Sequence, residues 1–184
     1  MPTRGEILEH RKTFRALWKN FVFAAEQCAA LGGGIAFEWP RSCAYWHDRS
    51  VRSFIKRHSM TEVQFDGCMY GLTSHVPKTS GMPIRKPWTI ATSMKEMNLL
   101  CRKCEHKPGD HAPCAGADTK ATEGYTNELV VQLHAAVANM LPRSELAELG
   151  LPSSTAAAWT LMMALPCTQL RGRCPGGQFL VLLL

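Results

Sequence analysis

Soft thiolates and imidazoles concentrate in one stretch of the chain, Cys101-Arg-Lys-Cys104-Glu-His106-Lys-Pro-Gly-Asp-His111-Ala-Pro-Cys114. Zinc takes four such ligands tetrahedrally, and its structural sites often join a closely spaced set to a remote one. Cys104, His106 and His111 form the close set, with Cys68 as the remote fourth; Cys101 and Cys114 compete for that place. A segment this rich in Pro and Gly buries too little apolar surface to order itself, so a metal clip would account for its composition. Cys101-Arg-Lys-Cys104 has no second CxxC partner, which leaves free buried thiols with surface histidines as the competing reading. Eight cysteines without a secretory signal point to thiols or metal ligands before disulfides.

Two further groups have chemistry to offer. In Ile35-Ala-Phe-Glu-Trp-Pro40 an acid stands near the carboxyl end of an apolar strand, where open α/β sheets place their ligands. There Glu38 would hydrogen-bond a ligand or move a proton; its competing role is to pair with a neighbouring Arg. Tyr45, Trp46, Arg49, Arg52 and Lys56 follow directly, combining rings with cations as a surface that clamps a nucleic-acid strand would. Trp46 could equally fill the space between helix and sheet.

These residues need a scaffold, and the hydrophobic pattern supplies one. Phe14, Leu17, Trp18, Phe21, Ala25 and Cys28 recur at three- and four-residue spacing, predicting a helix over 6–31 that ends at Gly32-Gly-Gly34. The run 35–39 reads as a buried parallel strand, 48–58 as a second helix and 62–66 as a second strand. Helix, strand, helix, strand is the rhythm of a parallel sheet. A loop at 75–81 looks like a hairpin tip, 88–92 is the third strand, 94–101 a short helix, and 126–141 a last amphipathic helix. The expected fold class is α/β, a partial Rossmann-like sheet with flanking helices and a Cys/His-rich, zinc-stapled loop, over residues 1–141. Residues 142–184 keep no sustained period and read as a weakly ordered or extraneous tail.

Composition sets the outer bounds. With 46% apolar and 20% charged residues, the 184-residue chain belongs with globular proteins. A net charge of +6 permits DNA or RNA as partner, although the excess is spread along the chain. No apolar run reaches 18 residues, so no membrane span is expected. The N-terminus lacks the apolar region of a signal peptide, which makes an intracellular location, cytoplasmic or nuclear, the default.

Taken in order, Gly32–Pro40, Phe65–Leu72, Ile84–Thr92 and Cys104–His111 resemble a methyltransferase-like α/β domain found in retrotransposon-type polyproteins, notably of unicellular algae. In that family a strand ends in Glu-x-Pro, a Cys-x-(Phe/Tyr)-Gly step follows, then Lys-Pro before a strand, then a Cys/His cluster. The resemblance covers residues 10–140 and implies that Cys68, Cys104, His106 and His111 are metal positions. It also implies a catalytic-type role for Glu38, similar to the glutamate that contacts the target base in cytosine-type DNA methyltransferases. The family's cofactor strand and Pro-Cys nucleophile loop have no counterpart here, so covalent base methylation lacks both nucleophile and cofactor loop. The expectation is a zinc-stabilised C-terminal portion of such a mobile-element-derived protein, without catalysis on its own. S-adenosylmethionine would enter only with a missing half supplied by another chain. The alternatives are a nucleic-acid-binding module and a decayed or mispredicted gene product without selected function.

Overall fold

The computed structural model describes residues 3–139, apart from Pro108 and Glu123, together with the strand 180–183. Helix α1 (Arg4–Ala30) starts at a capping box, in which the Thr3 side chain accepts from the Glu6 N–H and the Glu6 carboxylate accepts from the Thr3 N–H. It stops where the glycine run begins. Gly32 has a positive φ of 78°, its N–H donates to Ala29 O, and the Gly33 N–H donates to Cys28 O, a Schellman arrangement. Trp18, Phe21, Ala25 and Cys28 are buried as the spacing predicts; Leu17, one residue off that line, is half exposed.

Strand β1 (Ile35–Pro40) follows, then a 3-10 turn over Ala44–His47 and helix α2 (Arg49–Arg57), whose N–H groups Asp48 caps through Ser50. Strand β2 (Thr61–Asp66) runs into a second 3-10 turn, Gly67–Tyr70. The chain then makes an excursion, closed by a bridge between Thr73 and Pro83, before strand β3 (Pro87–Thr92). A third 3-10 segment (Lys95–Leu100), the short α3 (Ala117–Ala121), α4 (Asn127–Ala138) and strand β4 (Leu180–Leu183) complete the order.

The sheet has the order β2-β3-β1-β4. β3 is antiparallel to both β1 and β2, which corrects the expected parallel sheet. A parallel neighbour needs a long crossover, and no α-helix stands between β2 and β3; the chain simply folds back. The β1–α2–β2 unit keeps its parallel sense, but β3 inserts between its two strands. The continuous burial of β1 reflects a central strand covered on both faces, which either direction satisfies. A Rossmann-like sheet is therefore not what the central strands form: the architecture is a mixed α/β sandwich with a Cys/His cluster at one end.

Helices α1 and α2 cover one face. Phe37 is wholly buried there, with Trp39, Phe21, Trp18 and Trp46 rings centred 5.0–5.5 Å away. Such aromatic pairs add about 0.5–1.5 kcal/mol each beyond area burial. On the other face Val63, Phe65, Trp88 and Ile90 pack with Met94, Met97 and Leu100 and with Leu129 and Ala136 of α4. Thr126 fixes α4 to this layer: its hydroxyl donates to Tyr70 O at 2.6 Å and accepts from the Leu129 N–H. Of the segment 142–184, read from sequence as a tail, residues 180–183 pair in parallel with β1 from Ile35 to Glu38. The rest of that segment lies outside the described residues.

Candidate metal centre

The centre is built where β2 ends. At Gly67 a Cβ would sit 2.7 Å from Leu72 and 2.8 Å from Trp88, so only glycine lets the 3-10 turn close against the core. That turn presents Cys68, buried, at the carboxyl end of the strand. The second segment is brought in by Asp66, which has no exposed surface. Its N–H donates to Arg102 O at 2.9 Å and its Oδ2 accepts from the Cys104 N–H at 2.9 Å. Oδ1 faces Arg41 Nη2 at 3.3 Å and Arg85 Nε at 3.6 Å. Further along, the Ala112 N–H donates to Pro83 O, and Asp110 accepts from the Lys107 N–H to shape the turn between the two histidines.

The result gathers the sequence-predicted set. One ligand atom each from Cys68, Cys104, His106 and His111 lies within 4.8 Å of the others, close enough to hold a metal ion. Cys104 Sγ is 3.4 Å from His106 Nδ1 and 3.2 Å from His111 Nε2. A tetrahedral ion with thiolate and imidazole ligands sets those edges at about 3.5 Å, given Zn–S of about 2.3 Å and Zn–N of about 2.0 Å. Burial and the adjacent Cys104 sulfur push the Cys68 thiol up to about 12. A bound cation would invert that logic and hold the thiolate form. Of the competing ligands, Cys101 and Cys114 are exposed, and Cys114 Sγ instead approaches Thr122 Oγ1 at 3.5 Å.

Glu38 lies elsewhere. It sits within β1 rather than at an open crevice, only 6% exposed, on the α4 face. Its Oε2 accepts a 2.5 Å hydrogen bond from Tyr125, while Oε1 is buried with no partner among the described residues. Burial lifts its carboxyl to about 7, opposed by the Tyr125 hydrogen bond and by the charge of Lys86. The same burial, with the Glu38 charge, raises the Tyr125 hydroxyl.

The rings assigned from sequence to nucleic acid are occupied. Trp46 is buried against Phe37 and Trp39, its Nε1 donating to Pro40 O, so its faces are not free to stack on a base. Tyr45 stacks on Phe14 with ring centres 3.6 Å apart and bonds His10 at 2.7 Å. Arg49, Arg52 and Lys56 are exposed on α2, with Arg52 paired to Glu62. Sequence reasoning missed Asp66, Arg41 and Tyr125. The step Asp66-Gly-Cys68 at a strand end could have flagged the first, since ligands are commonly oriented by an adjacent carboxylate; Tyr125 is 87 residues from Glu38 and left no local sign.

Fold and site together define a mixed α/β domain with a four-residue Cys/His cluster. No family model matches the chain, and it has no match among curated proteins or solved structures. Because Asp66 holds the Cys104 backbone, Asp66→Asn should weaken metal affinity roughly tenfold or more. Competition against a chromophoric chelator measures this; an unchanged affinity would remove Asp66 from the support of the site.

Proposed function

We propose that the chain is a zinc-stapled α/β domain in which the metal fastens the 101–114 loop to the end of β2. The observation that carries this is the convergence of Cys68 with Cys104, His106 and His111, although Cys68 and Cys104 stand 36 positions apart in the chain (104 − 68 = 36). Two thiolates and two imidazoles suit zinc, and four protein ligands leave no open position for water, so the role is structural rather than catalytic.

Within this reading the chain is the C-terminal portion of a methyltransferase-like, mobile-element-derived protein, without catalysis on its own. The segments that carry the resemblance support it by falling together: Gly32–Pro40 supplies β1, Phe65–Leu72 the Cys68 turn, and Ile84–Thr92 the strand β3 between them. Parallel strands β1 and β2 joined by a crossover helix, with β3 antiparallel between them, also fit part of a larger sheet. A second reading, a nucleic-acid-binding module, draws support from the exposed Arg49, Arg52 and Lys56 of α2.

Elemental analysis of the purified full chain tests the first reading. About one zinc per chain, removable by a chelator, is expected; a folded, monodisperse chain without metal would overturn it.

A further inference from the structure

On the α1/α2 face of the sheet, Arg41, His47, Arg52, Glu62, Gln64 and Thr89, with an edge of the buried Trp46, line a cleft of about 320 Å³ beside the start of α2. Gln64 and Thr89 are register partners on β2 and β3, which places an amide and a hydroxyl side by side on its floor. Arg41 is anchored through Nη2, which donates to Phe65 O and to Asp66 at 3.3 Å, and its Nε is buried with no partner among the described residues, which leaves Nη1 as the donor for the cleft. A guanidinium fixed at one nitrogen keeps its remaining donors in a set direction, which lowers the entropy lost on binding an anion. Arg52 reaches in from α2 and is more than half exposed, held at 2.5 Å by Glu62 across the mouth. Two acids temper this positive lining: Glu62 itself, and Asp48, already spent on capping α2.

We propose that this cleft binds a phosphate group of nucleotide chemistry, gripped by Arg41 and Arg52, with Glu62 as the resident carboxylate that it displaces. The exposed Arg52 fork can match phosphate oxygens bidentately once Glu62 is displaced, Arg41 adds a single donor, and the neighbouring amide and hydroxyl suit a sugar or base edge. The phosphate could come from a free mononucleotide or from a strand. Only the strand source rests on the nucleic-acid reading above.

Calorimetric titration of the full chain with inorganic phosphate, a nucleoside monophosphate and a short single-stranded oligonucleotide separates these sources. The monophosphate should bind, with affinity falling roughly tenfold in Arg52→Ala and rising in Glu62→Gln, since the latter removes the competing carboxylate. Both positions are solvent-exposed, so the variants should fold; Arg41 is avoided because it also supports Asp66. Monophosphate binding without oligonucleotide binding keeps the cleft and rejects the nucleic-acid reading. Oligonucleotide binding indifferent to both variants, but lost in Arg49→Ala with Lys56→Ala, keeps that reading and overturns the cleft. A folded chain that binds none of the three probes overturns the proposal as well.

Discussion

Replacing His106 and His111 together by Ala, or stripping the metal with a chelator, should release the 101–114 loop from the sheet and lower stability by several kcal/mol. The reasoning is linkage: a group that binds only the folded chain adds its binding free energy to folding, about 4 kcal/mol even at a ligand concentration of 1,000 Kd. The loop has little of its own to replace that energy. Cys104 and His111 are only partly buried and His106 is exposed, so their packing is thin. Asp66 would still tether it through the Cys104 amide and the Arg102 carbonyl, as would the Ala112 N–H bonded to Pro83 O and the Arg102–Glu128 pair. The two apolar faces of the sheet stay intact, and the loss should be local, a loosening of the Cys68–Ala112 corner rather than global collapse. Thermal unfolding monitored with thiol labelling gives the readout: the partly buried Cys104 should react quickly once the metal is gone, and the buried Cys68, whose thiol stays protonated, more slowly. Metal content, midpoint and labelling rate all unchanged in the double variant would refute the staple.

Glu38→Gln should stabilise the protein near pH 8 and have a smaller effect near pH 4. The carboxyl is raised from an ordinary 4.5 to about 7 because burial penalises its charged form. Between those values the folded chain binds more protons than the unfolded chain, so stability falls as pH rises through the window and the charge penalty is complete above it. A displacement of this size corresponds to roughly 3 kcal/mol at alkaline pH. An amide keeps an acceptor for Tyr125 and carries no charge to desolvate. Urea unfolding of the wild-type and variant chains across pH 4–8 decides the matter; curves that stay parallel would show that Glu38 does not govern the slope. Tyr125→Phe should act in the opposite sense, since the buried carboxylate would lose the hydrogen bond that offsets its burial.

What could be read from the residues follows a physical line. Helix ends were legible because the Gly32 turn is local, β1 and β3 because short apolar runs beside Pro leave few other solutions, and β2 because Glu62 to Asp66 alternates. The close set Cys104, His106 and His111 was legible because Cys and His seldom cluster by chance in a Pro/Gly loop, whereas Cys68, outside that loop, stood level with Cys101 and Cys114 until the fold brought it alongside. Strand direction was not, since β3 shows the same apolar character whichever way it runs, and only the path of 67–86 decides. Nor was the fate of Trp46 or Glu38, because both turn on which face of the layer the side chain meets. Asp66 was passed over for a related reason: an acid at the end of a strand looks solvated until a second segment arrives to use both its oxygens.

The pairing of β4 with β1 joins residues 180–183 to 35–38, a separation of 145 positions (180 − 35 = 145). Closing so long a circuit costs chain entropy that no local contact repays in advance. During synthesis the outer edge of β1 is therefore bare while the rest of the sheet assembles, with its carbonyls and amides open to any passing strand. Until that pairing forms, the open edge of β1 is where the sheet is most exposed to mispairing.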